Sequence, residues 1–198
     1  MGEPVAPADT EDAPEIGDLA IRVASTCLAR GLTIATVESC TGGLVGHVIT
    51  DVPGSSAYFL GGFVTYSDGL KRAMVGVPDD VLAAHGAVSA QVALAMAAGG
   101  RERTRADIAV AVTGIAGPDG GTPAKPVGLT YVAVADRSGA NVRRHVWSGD
   151  RADNKRRSAT AALELLLELL EGGASTPDVP GDERRSTFAG SRPAAEDA

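Results

Sequence analysis

The chain has 198 residues, of which 44% are hydrophobic and only 4% aromatic, and it carries a formal net charge of -7. That is enough for one domain with a substantial core, packed from Val, Leu, Ile and Ala. The acidity sits at the ends: residues 1–18 hold six acids and no Lys or Arg, and residues 173–198 hold five acids against Arg184, Arg185 and Arg192, which leaves 15 basic and 14 acidic residues between them.

A near-neutral body with few aromatics offers neither the basic stripe nor the stacking platform of a nucleic-acid binder. The start, Met1-Gly2-Glu3-Pro4-Val5-Ala6-Pro7, has no basic n-region and no apolar h-region, so no secretory signal is expected. The longest apolar segment, around residues 159–170, is too short for a membrane span and is interrupted by Glu164 and Glu168. Cys27 and Cys40 are too few for a disulfide framework and read as free thiols in a reducing cytoplasm. A soluble, cytoplasmic protein is the expectation.

Residues 1–14 are rich in Pro, Ala and acids and read as a disordered tail. From 16 to 28, Leu19, Ala20, Val23, Ala24, Cys27 and Leu28 recur at helical spacing and stop before Gly31. Residues 32–37 then alternate and are rich in β-branched residues, which predicts a strand. Residues 44–49 suit a helix whose Leu44, Val45, Val48 and Ile49 share a face. Between them lies Glu38-Ser39-Cys40-Thr41-Gly42-Gly43, a strand-to-helix turn. The first N-H groups of the helix are expected to stand open there, ready for an anion or a developing oxyanion, with Ser39 at the mouth. The plainer reading is that Ser39 or Thr41 caps the helix. Cys40 competes with Ser39 as a nucleophile.

Asp51-Val52-Pro53-Gly54-Ser55-Ser56 is a turn signal. Residues 58–66 predict a strand broken by Gly61-Gly62, the mark of a bulge or of a close approach by another group. It delivers Tyr66 to the strand end and Lys71 to the next element, where open α/β sheets place ligands. For an isolated lysine, an ordinary solvated side chain is the default. Short helices follow, one opening at Val77-Pro78-Asp79-Asp80 and ending at His85-Gly86, and one capped by Ser89 with Val92, Ala93, Met96 and Ala97 on its apolar face.

Residues 107–113 are a near-continuous apolar run, the pattern of a strand buried on both faces. The run opens into a long loop, residues 114–126, whose glycines at 114, 117 and 120 have the wrong spacing for a dinucleotide fingerprint and whose prolines forbid the helix that should follow one. Stiffened by Pro118, Pro123 and Pro126, it reads as a functional loop whose amides cradle a phosphate with Lys125 as charge partner. Residues 127–135 and 141–147 predict a hairpin, and its second strand, near an edge, puts Arg144 opposite Arg143 and His145. A long helix after Ser148-Gly149-Asp150-Arg151 sets Leu163, Leu166, Leu167 and Leu170 on one face and Glu164, Glu168 and Glu171 on another. Gly172-Gly173 stops it, and residues 173–198 read as a second disordered tail.

The order of elements points to a three-layer α/β/α sandwich with a mixed sheet of about five strands, in one domain over residues 15–172. His47, His85 and His145 lie on separate elements, so no metal site and no cofactor is expected.

Taken together, Val37-Glu38-Ser39-Cys40-Thr41-Gly42-Gly43, Pro53-Gly54-Ser55-Ser56, Gly61-Gly62, Tyr66-Ser67 and Lys71 closely resemble the CinA C-terminal domain family. So do Gly86-Ala87-Val88-Ser89, Thr113-Gly114-Ile115-Ala116-Gly117-Pro118, Gly120-Gly121-Thr122, Lys125-Pro126-Val127-Gly128 and Gly149-Asp150-Arg151. The resemblance spans about residues 16 to 171. It implies a nicotinamide-nucleotide amidase, which turns nicotinamide mononucleotide into nicotinic acid mononucleotide and ammonia in pyridine-nucleotide salvage. It also implies the stand-alone form, without the N-terminal domain of longer members, and a homo-oligomer, with a dimer favoured. Asp68 departs from the family, which usually has Asn after Tyr-Ser.

The family's catalytic group maps onto Ser39, Tyr66 and Lys71. Amide hydrolysis benefits from a nucleophile, a base and oxyanion donors, and serine-lysine pairs are a known variant of triad logic. The expected roles are attack by Ser39, proton transfer by a neutral Lys71 or by Tyr66 bridging to it, and an oxyanion hole from the amides of Thr41, Gly42 and Gly43. Gly62, Thr113, Gly114, Gly117 and Arg151 are expected to line the substrate site, with ribose and phosphate held by Thr113, the glycine loop and Arg151. A nucleotide-binding regulatory domain without chemistry is the alternative class. A structural adaptor explains the tails but not the glycine loops.

Overall fold

A computed structural model describes residues 15–172. The expected tails, 1–14 and 173–198, lie outside the described residues. Twelve elements, one of them a short 3-10 turn, follow one another along the described residues, and the predicted order of helices and strands holds. Five strands, β1 (Ile34–Glu38), β2 (Phe59–Val64), β3 (Ile108–Gly114), β4 (Leu129–Ala135) and β5 (Ala140–Val146), form one sheet in the order β2-β1-β3-β4-β5. β1 pairs parallel with β2 and β3, and the remaining pairs are antiparallel, so the sheet is mixed as expected.

Three helices cover one face: α1 (Ile16–Arg30), α2 (Leu44–Thr50) and α6 (Arg151–Leu170). Their apolar stripes, Leu19, Val23 and Cys27 from α1 and Leu163, Leu166 and Leu170 from α6, close over Ile34, Val110, Val112 and Val132 of the sheet. The other face is covered by α3 (Asp68–Val75), α4 (Asp79–His85) and α5 (Ala90–Thr104), which pack Val75, Leu82, Val92 and Met96 onto Val37, Ala111, Tyr131 and Ala133. Strands β1, β3 and β4 have helices on both sides and are buried along almost their whole length, as the near-continuous apolar run at 107–113 predicts for β3. Helix ends follow local chemistry. Gly31 closes α1 in the left-handed conformation, the Ser67 and Ser89 hydroxyls accept N-H groups of α3 and α5, and the Asp150 carboxylate accepts the Asp153 N-H of α6. Arg143 reaches the Glu168 carboxylate on α6, so the faces predicted for β5 are the faces observed.

The glycine pair of β2 marks both features its sequence suggested. The β1–β2 register shifts between Ile34 and Ala35, and Gly62 pairs with Thr36, whose backbone carbonyl would lie 3.1 Å from any Cβ placed there. The close approach is thus made by β1 itself. From β1 the chain passes to β2 on one side, while β3 passes to β4 on the other. The connections diverge between the carboxyl ends of β1 and β3, the point where a crevice forms in such sheets.

Candidate active site

Ser39 follows directly on β1 and keeps the sheet's register, its N-H donating to the Val112 carbonyl of β3 at 2.9 Å. The chain then reverses through Gly42 and Gly43, with φ of +65° and +99°, a left-handed path that favours glycine. Thr65, at the end of neighbouring β2, donates its N-H to the Glu38 carbonyl at 2.7 Å, which locks the two strand ends together. One turn into α3, Lys71 turns back under this junction. Its Nζ lies 3.1 Å from Ser39 Oγ and donates to the Thr65 carbonyl at 2.9 Å.

Lys71 is 1% exposed, so the default of a solvated lysine is overturned. Burial lowers its pKa from the ordinary lysine value, while the nearby Asp68 carboxylate and Cys40 act in the opposite direction. The same burial pushes the Cys40 thiol up to about 12. A thiol held so far from ionisation is a poor nucleophile at neutral pH.

The open helix N-terminus predicted at this turn is not open. The Glu38 carboxylate, 1% exposed, folds over it and accepts N-H groups from Gly43 at 2.9 Å, Val45 at 3.1 Å and Gly46 at 2.8 Å. The Gly42 N-H donates to the Ser39 carbonyl at 3.0 Å. Two of the three amides expected to form an oxyanion hole, those of Gly42 and Gly43, therefore already have acceptors. The physical reason is that a buried run of unpaired N-H groups is costly, and an internal carboxylate satisfies it permanently. The Thr41 N-H has no backbone acceptor among the described residues, and the Thr41 and Thr65 hydroxyl oxygens, both buried, lack partners there too.

Tyr66 is 58% exposed and does not touch Ser39 or Lys71 by hydrogen bond; its hydroxyl meets Arg151 Nη2 at 3.1 Å. Arg151 also donates through Nη1 to the Gly117 carbonyl at 2.8 Å, and Asn154 Nδ2 donates to the Ala116 carbonyl at 3.1 Å. The first turn of α6 thus holds the glycine loop against the site. Thr113 is buried, and its hydroxyl donates to the Ala87 carbonyl at 2.8 Å. A Cβ on Gly114 would lie 2.7 Å from the Leu129 carbonyl, and one on Gly117 would strike Val127. These groups, like Gly62, are packed closely against neighbouring backbone or side chains. Lys125 Nζ donates to the His85 carbonyl at 2.6 Å and so ties the loop to α4.

Two residues escaped the sequence reading of roles. Glu38 was visible only as part of the motif, although a carboxylate at the end of a buried parallel strand is itself a signal. Lys155 lies one helical turn beyond Arg151, and its Nζ lies 3.7 Å from a Cβ built on Gly42. Among the described residues no group of three or more His, Cys, Asp or Glu side chains is placed to hold a metal ion, and no helix is long and apolar enough to cross a membrane.

The chain is similar to known proteins. The CinA C-terminal domain matches residues 17–170. A CinA-like protein of Citrifermentans bemidjiense is 49% identical over 167 residues, which cover 84% of this chain and 40% of that protein. The chain thus spans about two fifths of the length of that relative. The nicotinamide-nucleotide amidohydrolase PncC of Escherichia coli is 52% identical over 156 residues, covering 78% of this chain and 94% of that protein. Among solved structures, the competence/damage inducible protein CihA of Agrobacterium tumefaciens superposes with a TM-score of 0.75 at 44% identity, covering 80% of this chain and 97% of that one. With the family matched over almost every described residue and a relative of similar length at half identity, the chain belongs to the CinA C-terminal domain family.

Proposed function

We propose that the protein is an amidohydrolase that converts nicotinamide mononucleotide to nicotinic acid mononucleotide and ammonia, with Ser39 as nucleophile and Lys71 as base. The observation that carries this reading is the 3.1 Å approach of a buried lysine amine to the serine hydroxyl, in a chain 52% identical to an amidohydrolase named for that substrate class. Lys71, neutral at the moment of attack, donates to the Thr65 carbonyl and takes the Ser39 proton on its lone pair. The Ser39 oxygen bonds to the carboxamide carbon, and the carbonyl electrons move onto oxygen. With the Gly42 and Gly43 amides engaged, the Thr41 amide is the one left of the three expected oxyanion donors. Lys71 then returns its proton to the leaving nitrogen and ammonia departs. A water molecule, activated by the same amine, releases the nicotinate ester from Ser39. General-base assistance of this kind contributes about 10²–10⁴ in rate, and each oxyanion donor about 10²–10³.

Tyr66 enters this reading through Arg151, as a wall of the substrate site, with Arg151 placed for the anionic part of the nucleotide. A cytoplasmic setting fits the two free cysteines. A homo-oligomer, preferably a dimer, fits the exposed Leu60 and Val64 of edge strand β2 and the exposed Leu70 and Met74 of α3. The deciding experiment is ammonia release from nicotinamide mononucleotide by the purified protein and by Ser39→Ala. Turnover that vanishes in the variant while binding persists supports the reading. Binding by the wild type without ammonia release replaces it with a nucleotide-binding domain.

A further inference from the structure

A cavity of about 860 Å³ opens beside the Ser39 turn, between α2, the glycine loop and the start of α6. One wall is apolar, from Leu44, Val48 and Pro118; the other carries Arg151, Lys155 and Arg156. The Asp150 carboxylate also lines it but is engaged by the Asp153 N-H at 2.9 Å. The three cations are not equivalent. Arg151 has both terminal nitrogens engaged, on the Gly117 carbonyl and the Tyr66 hydroxyl. Arg156 pairs with Asp153 at 3.1 Å. The Lys155 ammonium, half-buried, has no hydrogen bond or ion pair among the described residues. Arg151 and Lys155 stand four apart on α6 and so share a face, and Lys155 reaches over Gly42, three residues from the nucleophile.

A half-buried cation without an ion-pair partner beside the Ser39 turn is matched by a group that brings its own negative charge. We propose that Lys155 recognises the phosphate of the nucleotide substrate, with Arg151 and Arg156 supplying the surrounding field, and that it is the residue by which the site prefers a nucleotide to the corresponding nucleoside. This rests on the amidase reading. It moves the phosphate away from two positions that chemistry would otherwise favour: the α2 N-terminus, which Glu38 fills, and the backbone of Thr113 and Gly114, which is paired with β4. Lysine suits the task as a point charge that meets a phosphate from any direction.

The test is steady-state ammonia release by the full chain, wild type and Lys155→Met, with nicotinamide mononucleotide and with the same molecule lacking its phosphate, nicotinamide riboside. The expected result for Lys155→Met is a KM for the mononucleotide raised about tenfold or more, the equivalent of about 1.4 kcal/mol of lost binding. Its kcat should be little changed, and the preference for mononucleotide over riboside should fall by the same factor. Lys155→Arg should restore most of that preference. A preference ratio that stays at the wild-type value, or an equal loss on both substrates, overturns the proposal, since a merely structural lysine would affect both alike. If the wild type hydrolyses neither compound, the amidase reading fails by itself. Calorimetric affinities of wild type and Lys155→Met for the two compounds then decide the phosphate site alone, with an unchanged ratio counting against it.

Discussion

Removing the Glu38 carboxylate should unfasten the turn that carries Ser39. In Glu38→Ala three N-H groups lose acceptors that now stand at 2.8–3.1 Å. Hydrogen bonds to a charged acceptor are worth about 1.5–3 kcal/mol each, and a buried donor left bare costs about 1–3 kcal/mol. Allowing for water that enters the vacated space and for relief of the buried charge, the expected loss is about 4 kcal/mol. For a domain of this size about 2–4 °C in Tm accompanies each kcal/mol, so Tm should fall by about 8–16 °C. Glu38→Gln keeps one acceptor oxygen but turns an NH2 group toward a donor, and should lose about 1–2 kcal/mol. Urea unfolding with a common slope measures both. Activity, assayed well below Tm, should fall through kcat, because the Ser39 hydroxyl loses its fixed distance to Lys71. An Ala variant within about 1 kcal/mol of wild type would show that the carboxylate is not what closes the α2 N-terminus, and the account of the turn would be wrong.

Further outcomes follow from the same geometry. Cys40→Ala should keep most ammonia release, because a thiol pushed up to about 12 supplies almost no thiolate; loss of activity with intact folding would make Cys40 the nucleophile. Because burial lowers the Lys71 pKa below 10.5, kcat/KM should climb about tenfold per pH unit and level off before that value. The folded state releases this proton at a lower pH than the unfolded chain, so stability should rise with pH between the lowered pKa and 10.5. Lys71→Met should abolish turnover and remove that rise; an unaltered stability profile in the variant contradicts the assignment. Gly62→Ala should destabilise by about 1–3 kcal/mol, since its methyl meets Thr36. Thr36→Ala in the same chain should recover part of the loss, and strict additivity of the two would refute the contact.

The layers of this protein were legible because local periodicity and burial agree. Residues 107–113 read as a strand buried on both faces and are one, and the leucines at 163, 166, 167 and 170 read as a helix stripe and close over the sheet. Element ends shifted by a residue or two, as at α1, which runs on to Arg30 before Gly31 turns the chain. The turn at Ser39 was also readable, because an abrupt change from strand to helix period around small residues is a local signal.

The partners of each group in that turn were not local. Ser39 and Lys71 are 32 residues apart, Tyr66 and Arg151 are 85 apart, and only the parallel pairing of β1 with β2 and the return of α6 bring them together. Spacing alone left Lys71 a surface lysine; burial beneath Thr65 is what lowers the pKa of its amine and sets it against Ser39. Spacing alone also left the amides of Gly42 and Gly43 free to bind an oxyanion, whereas Glu38, pointing from the same strand end, had already taken the α2 N-terminus. Sequence by itself thus determined the layers and the order of the chemistry along the chain. Tertiary structure decided which polar groups are satisfied from within and which remain for a substrate, because hydrogen-bond satisfaction and desolvation depend on what packs against a residue and not on what precedes it.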